Sequence, residues 1–222
     1  MPGASETPAG PDPASADPAS AVPASAVPAS AVPASTIPAS TIPASTARTG
    51  IEVADLIRAR IRDVPDYPQL GVVFKDITPL LADGAAFAAV VSALAAGHGR
   101  IDKVAGIEAR GFILAAPVAY ALGAGFVPVR KEGKLPGPTY AQSYQLEYGM
   151  ATVEVHSDAF TPGERVLIID DVLATGGTAA ATAQLVQRGG AQVVAISVLL
   201  ELGFLDGRAK LPDLEVRSLL GT

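Results

Sequence analysis

Apolar residues first recur at helical spacing in IEVADLIRARIRDV, where Ile51, Ala54, Ile57 and Ile61 share one side and Arg58, Arg60 and Arg62 fall elsewhere. This periodicity predicts an amphipathic helix over residues 51–64. The following PDYPQLGVVFKDITPL is punctuated by Pro and Gly and reads as mostly loop, with a short extended piece at residues 72–74. Asp83-Gly84 opens an Ala-rich helix that closes at Gly97 and Gly99. From there apolar runs alternate with helical ones: strand KVAGI, helix GFILAAPVAYAL, strand GFVPVRK, a long polar loop, strand ATVEVHS, strand RVLIID, helix TAAATAQLVQRGG and strand QVVAISVLLE. Short apolar runs separated by helices predict an α/β fold, a mainly parallel twisted sheet with helices on both faces. ATVEVHS alternates apolar and polar positions, as an antiparallel strand with one wet face does. The polar stretch at residues 132–150 is long for a connection inside a compact domain, and such loops commonly carry function.

The first 48 residues break this pattern. Pro, Ala or Ser fills 32 of those 48 positions, and a five-residue unit, AVPAS or TIPAS, recurs with a proline every fifth residue. That composition interrupts both helix and sheet ladders and supplies no core, so residues 1–48 are expected to be a disordered, partly polyproline II tail. It has neither the basic start nor the continuous apolar segment of a signal peptide. Residues 49–222 suffice for one domain. No Cys is present and only two His, His98 and His156, which rules out a disulfide framework, a Cys-based zinc site and a multi-His metal site. The two His match no motif and are expected as ordinary surface or strand-end residues. A net charge of -6 without a long basic run argues against a nucleic-acid surface. The apolar stretch FILAAPVAYALGAGF contains Gly and Pro and is too short to span a membrane. The expected setting is cytoplasmic, without membrane or nucleic-acid partners.

Chemistry concentrates in VLIIDDVLATGGTAA. Ligands of an open parallel sheet bind beyond the carboxyl ends of its strands, where Asp170 and Asp171 stand. ATGGT then enters a helix whose free N–H groups and dipole favour an anion, with Gly176 and Gly177 admitting it closely and Thr175 and Thr178 adding hydroxyls. The segment lacks the Lys and the Gly spacing of a Walker A loop. Two carboxylates beside an anion site make sense when they face hydroxyls or a cation. A sugar phosphate meets both demands.

This stretch resembles the 5-phosphoribosyl-1-pyrophosphate (PRPP) signature of the type I phosphoribosyltransferases. The likeness implies that Asp170 and Asp171 contact ribose hydroxyls, and that Ala174, Thr175, Gly176, Gly177 and Thr178 hold the 5'-phosphate. With GVVFKDITPL, GIEARGF and RKEGKLPGPTYAQSYQLEYG in order and at compatible spacing, nearly all of residues 51–222 resembles the adenine phosphoribosyltransferase family. The resemblance implies a pyrophosphate loop at Glu108, Ala109 and Arg110, and further pyrophosphate contacts from Arg130, Lys131 and Lys134, partly across a homodimer interface. Arg110 is also implied in catalysis. Val73, Phe74 and Lys75 would form the adenine pocket. Lys75 stands where many members have Arg, and an ammonium cannot reproduce a guanidinium's forked contact. Glu147 is the implied general acid/base, and Tyr148 belongs to the flexible catalytic loop that closes over the site. The implied cofactor is Mg²⁺, held mainly by PRPP with Asp170 and Asp171 nearby. The implied reaction converts adenine and PRPP to AMP and pyrophosphate in purine salvage. A relative acting on hypoxanthine, xanthine or orotate, and a non-catalytic PRPP-sensing regulator, are the alternatives.

Overall fold

The computed structural model describes residues 50–145 and 149–222. The tail reading for residues 1–48, and the roles of Glu147 and Tyr148, fall outside these residues. Helix α1 (Gly50–Arg58) buries Val53 and Ile57, as the apolar spacing predicts, but it stops before the end of the predicted helix. Residues Arg62–Val64 instead form strand β1, antiparallel to β2 (Phe74–Asp76). The reason is cross-strand charge: Arg62 faces Asp76 and Asp63 faces Lys75 in register, and each pair forms an ion pair. Tertiary pairing here overrides local period. The short helix α2 (Thr78–Ala82) occupies the end of the segment read as loop, with Pro79 in its first turn, where a missing N–H costs nothing. Helix α3 (Gly84–Ala95) is capped by Asp83, whose carboxylate accepts from the N–H groups of Ala85 and Ala86.

The remaining elements are β3 (Lys103–Ile107), α4 (Arg110–Leu122), β4 (Gly125–Lys131), β5 (Thr139–Gln145), β6 (Met150–His156), β7 (Arg165–Leu173), α5 (Gly177–Arg188), β8 (Gln192–Glu201) and β9 (Val216–Gly221). They build a seven-stranded sheet in the order β5-β6-β4-β3-β7-β8-β9. From β4 to β9 the neighbours are parallel, while β6 runs antiparallel to both β4 and β5. Inward-facing residues alternate along the central strands. Leu167 and Ile169 join the core beneath α1, α3 and α4, whereas Val166 and Ile168 join the core with Leu185 and Val186 of α5. The mainly parallel sheet with helices on both faces is therefore as expected, and so is the antiparallel strand at ATVEVHS.

Two more expectations need correction. The polar connection at residues 132–150 is not loop throughout, because TYAQSYQ forms β5 and pairs along its whole length with β6. Its alternating Tyr140, Gln142 and Tyr144 carry a strand period that its polarity masked. His98, expected at the surface, is only 6% exposed. Its Nε2 lies 3.0 Å from the Leu94 carbonyl, which can only accept, so that nitrogen carries the proton. Burial, reinforced by the nearby Arg217 charge, lowers its pKa and favours the neutral ring. His156 does sit at a strand end, half-buried.

Candidate active site

Strand order decides where the chemistry meets. β3 leads through α4 to β4 on one side, and β7 leads through α5 to β8 on the other, so the connections diverge at the carboxyl ends of β3 and β7. Such a switch point leaves a crevice. Glu108, Ala109 and Arg110 follow β3, and Asp170 and Asp171 end the buried run of β7. A cleft of about 280 Å³ lies between them, lined by Glu108, Ala109, Arg110, Lys131, Asp170, Asp171 and Thr178 among others. A smaller cup of about 70 Å³ adjoins it, walled by Ala174, Thr175, Gly176, Gly177 and Thr178. Asp170 and Thr178 border both spaces.

The cup's shape depends on close backbone approach. Gly176 is in the left-handed region with φ +76°, and a Cβ there would collide with the carbonyl oxygen of Gly207. Reciprocally, a Cβ on Gly207 would collide with the carbonyl oxygen of Ala174 and stand 3.1 Å from the Gly176 nitrogen. Gly207 opens a single 3₁₀ turn, Gly207–Lys210, that backs the cup. Sequence reasoning missed it, since no local signal links Gly207 to a loop some thirty positions earlier. Helix α5 starts at Gly177, so its unsatisfied N–H groups face the cup.

The two acids occupy unfavourable electrostatic ground. Burial, then the Asp171 charge, pushes the Asp170 carboxyl well above the ordinary carboxylate range. Burial also raises Asp171, although the Arg110 charge opposes it. Arg110 Nη2 lies 2.7 Å from Asp171 Oδ2, off the line of a hydrogen bond, so that buried oxygen has a charge partner but no hydrogen-bond donor. An acceptor held in this way suits a ligand hydroxyl.

Arg110 also joins the two ends of the site. Its Nη1 donates to the Lys75 carbonyl at 3.1 Å, and its guanidinium carbon stands 4.8 Å from the centre of the Phe74 ring. Tyr67 meets Phe74 edge-on at 5.3 Å. Val73 is half exposed beside them. The structure thus brings the predicted base segment against the predicted pyrophosphate arginine. The Lys75 ammonium turns to Asp63, contacting both carboxylate oxygens at 2.8 and 2.9 Å.

Glu108 binds cations within the protein. Its carboxylate accepts from Lys134 Nζ at 2.5 Å, from the Lys131 N–H at 3.2 Å and from Arg130 Nε at 3.2 Å. Burial pushes its pKa up, but these three donors outweigh it and the net shift is downward. The cluster RKEGK is therefore gathered around one acid at the end of β3. Among the described residues no group of three or more His, Asp or Glu side chains could hold a metal ion. None of the described helices is long and apolar enough to cross a membrane.

A switch-point crevice that combines a glycine-threonine phosphate cup, paired strand-end acids and an arginine on the opposing loop defines the type I phosphoribosyltransferase class. The phosphoribosyl transferase domain family matches residues 75–215. Adenine phosphoribosyltransferase of Acidothermus cellulolyticus is 64% identical over 171 residues, covering 76% of this chain and 97% of its own. The Thermobifida fusca enzyme of the same name is 63% identical over 170 residues, with 76% and 97% covered. Among solved structures, the adenine phosphoribosyltransferase of Rhodothermus marinus superposes with a TM-score of 0.74 at 50% identity, covering 78% of this chain and 99% of that one. That of Giardia lamblia, complexed with 9-deazaadenine, gives 0.72 at 40% identity, with 77% and 97% covered. The chain belongs to the adenine phosphoribosyltransferase family, whose members are pentosyltransferases.

Proposed function

We propose that this protein transfers the 5-phosphoribosyl group of PRPP to adenine, giving AMP and pyrophosphate, as a cytoplasmic purine-salvage enzyme. The observation that carries the reading is the convergence on one crevice of Phe74 and Lys75, Arg110, Asp171 and the Ala174–Thr178 cup, segments that are far apart in sequence. In this reading the 5'-phosphate occupies the cup, on the first N–H groups of α5 and the hydroxyls of Thr175 and Thr178. Asp170 and Asp171 accept from the ribose hydroxyls. Val73 and Phe74 hold the purine, and the residue 73–75 main chain reads its edge.

The bond between the anomeric carbon and pyrophosphate then lengthens, leaving oxocarbenium character on the ribose, as in glycosyl transfer generally. Arg110, with Lys131 and with Arg130 and Lys134 released from Glu108, neutralises the departing polyanion. The adenine nitrogen forms the new bond and its proton passes to Glu147. Tyr148 and the rest of that loop exclude water. Asp170 and Asp171 would stand near a divalent cation held mainly by PRPP, and their carboxylates would favour its charge. When bound, Mg²⁺ supplies positive charge to the diphosphate and the ribose hydroxyls.

A homodimer is part of the proposal. Ile113 and Tyr120 on α4 and Phe126 on β4 are exposed apolar side chains, which a second copy would cover. Sedimentation at micromolar concentration tests this. The function itself is tested by assaying full-length protein with PRPP, Mg²⁺ and a panel of bases: adenine is the expected substrate, and preference for a 6-oxopurine or orotate refutes the assignment.

A further inference from the structure

Tyr144 lies on β5, within a stretch where the family resemblance assigns roles only further on, to Glu147 and Tyr148. Its ring rests on the start of α5, so that a Cβ on Gly177 would stand 2.9 Å from it. Its hydroxyl accepts a hydrogen bond from Thr178 Oγ1 at 3.0 Å. Tyr144 also lines the larger cleft, together with Arg110, Lys131 and both acids. Four residues earlier, on the same face of β5, Tyr140 lies under the Arg188 guanidinium at 4.7 Å, and Arg188 Nη1 donates to the Ala141 carbonyl at 3.4 Å. β5 is therefore fixed along α5 at both ends of the helix. Four strand residues span about 13 Å and ten helical residues about 15 Å, so the two tyrosines match the helix in length. The phenol of Tyr144 is held where Thr178 can reach it.

The hydrogen-bond direction makes this contact informative. Thr178 has one hydroxyl proton, and the heavy-atom geometry assigns Thr178 as the donor to Tyr144. On the reading that Thr178 binds the 5'-phosphate, the same proton must turn to the anion. The Thr178 oxygen then has lone pairs facing Tyr144, whose phenol has its own proton to give. We infer that Tyr144 is a positioning residue for the 5'-phosphate: it reverses its hydrogen bond on ligand binding and donates to Thr178, which donates to the phosphate. Phenol, hydroxyl and anion form a chain in which each bond polarises the next. The ring, packed on Gly177, keeps the phenol beside Thr178, and the reversal requires the phenol and the Thr178 hydroxyl to reorient about that contact. This inference rests on the proposed function, because a cup that holds no phosphate has no use for the relay.

The experiment is a double-mutant cycle on the full chain, with Tyr144→Phe, Thr178→Val and the pair, read by calorimetric titration with AMP and with adenosine. Phe keeps the ring on Gly177, and equal melting temperatures establish that each variant folds. Loss of one hydrogen bond in the chain weakens AMP binding by about 3- to 10-fold in Tyr144→Phe, with adenosine affinity unchanged. In steady state KM for PRPP rises while kcat at saturating PRPP holds. In the Thr178→Val background, Tyr144→Phe has no further effect. Unchanged AMP affinity in Tyr144→Phe overturns the inference, and so does an equal loss in both backgrounds, which marks the tyrosine as structural only. If the unaltered protein binds AMP no better than adenosine, the phosphate reading of the cup fails and the relay falls with it. Discrimination by the unaltered protein but not by the cycle isolates the failure to Tyr144.

Discussion

Gly207→Ala is the sharpest test of how the phosphate cup is built. The new Cβ would collide with the Ala174 carbonyl oxygen and stand 3.1 Å from the Gly176 nitrogen and 3.2 Å from the Ala174 carbonyl carbon. All three are backbone atoms, so no side chain can rotate away, and either the 3₁₀ turn or the cup must shift. Overpacking of this kind costs about 1–3 kcal/mol of stability. For a domain of this size each kcal/mol lowers Tm by about 2–4 °C. A ligand effect of similar size follows, because the Ala174–Gly177 backbone carries the amides that face the phosphate. Displacing one amide from a charged acceptor loses about 1.5–3 kcal/mol, which corresponds to about 10- to 150-fold in affinity. The assay compares AMP with adenosine by calorimetric titration, alongside a thermal melt. AMP should weaken by at least about tenfold, and adenosine, lacking the phosphate, should be unaffected. A folded Gly207→Ala protein whose AMP affinity stays within about twofold of the parent refutes the reasoning, since the cup would then not depend on that backbone contact.

Other consequences follow from the titrating groups. Asp170 has a folded-state pKa above its unfolded value, so its stabilising contribution is present below about pH 4 and is lost as pH rises through the folded pKa. Asp170→Asn should therefore raise Tm of the ligand-free protein at pH 7 while weakening AMP binding; a fall in Tm would contradict the buried-charge account. His98 has the opposite sense: its pKa is lowered by folding, so stability falls as pH drops through the unfolded value near 6.5. His98→Gln should flatten the change in urea midpoint between pH 7 and pH 5, and an unaltered slope would remove His98 from the acid response. Glu147→Ala should lower kcat by about 10²- to 10⁴-fold, with less effect on PRPP affinity measured by titration. An unchanged kcat excludes Glu147 as the proton acceptor.

Elements whose information is local could be read from the chain directly. Short, near-continuous apolar runs specified β3, β4 and β8 at their observed limits and β7 three residues short of its end, because strands buried on both faces need such side chains. Asp83 announced its helix because the cap acts within three residues. The acid pair and ATGGT were legible for the same reason, since a strand end, a tight glycine turn and a helix start make a cup out of consecutive residues. What stands against that cup depends on long-range packing. Gly207 behind it, Tyr144 over Thr178 and Arg110 between Asp171 and Phe74 are juxtapositions set by strand order, and no local period encodes which distant segments become neighbours. The same holds where local reading went astray. Residues 62–64 left the helical pattern to pair with β2 through opposed charges, and His98 was drawn inside to meet Leu94 and Ser197. Hydrogen bonds and ion pairs across long sequence separations outweigh the weak preferences of short segments.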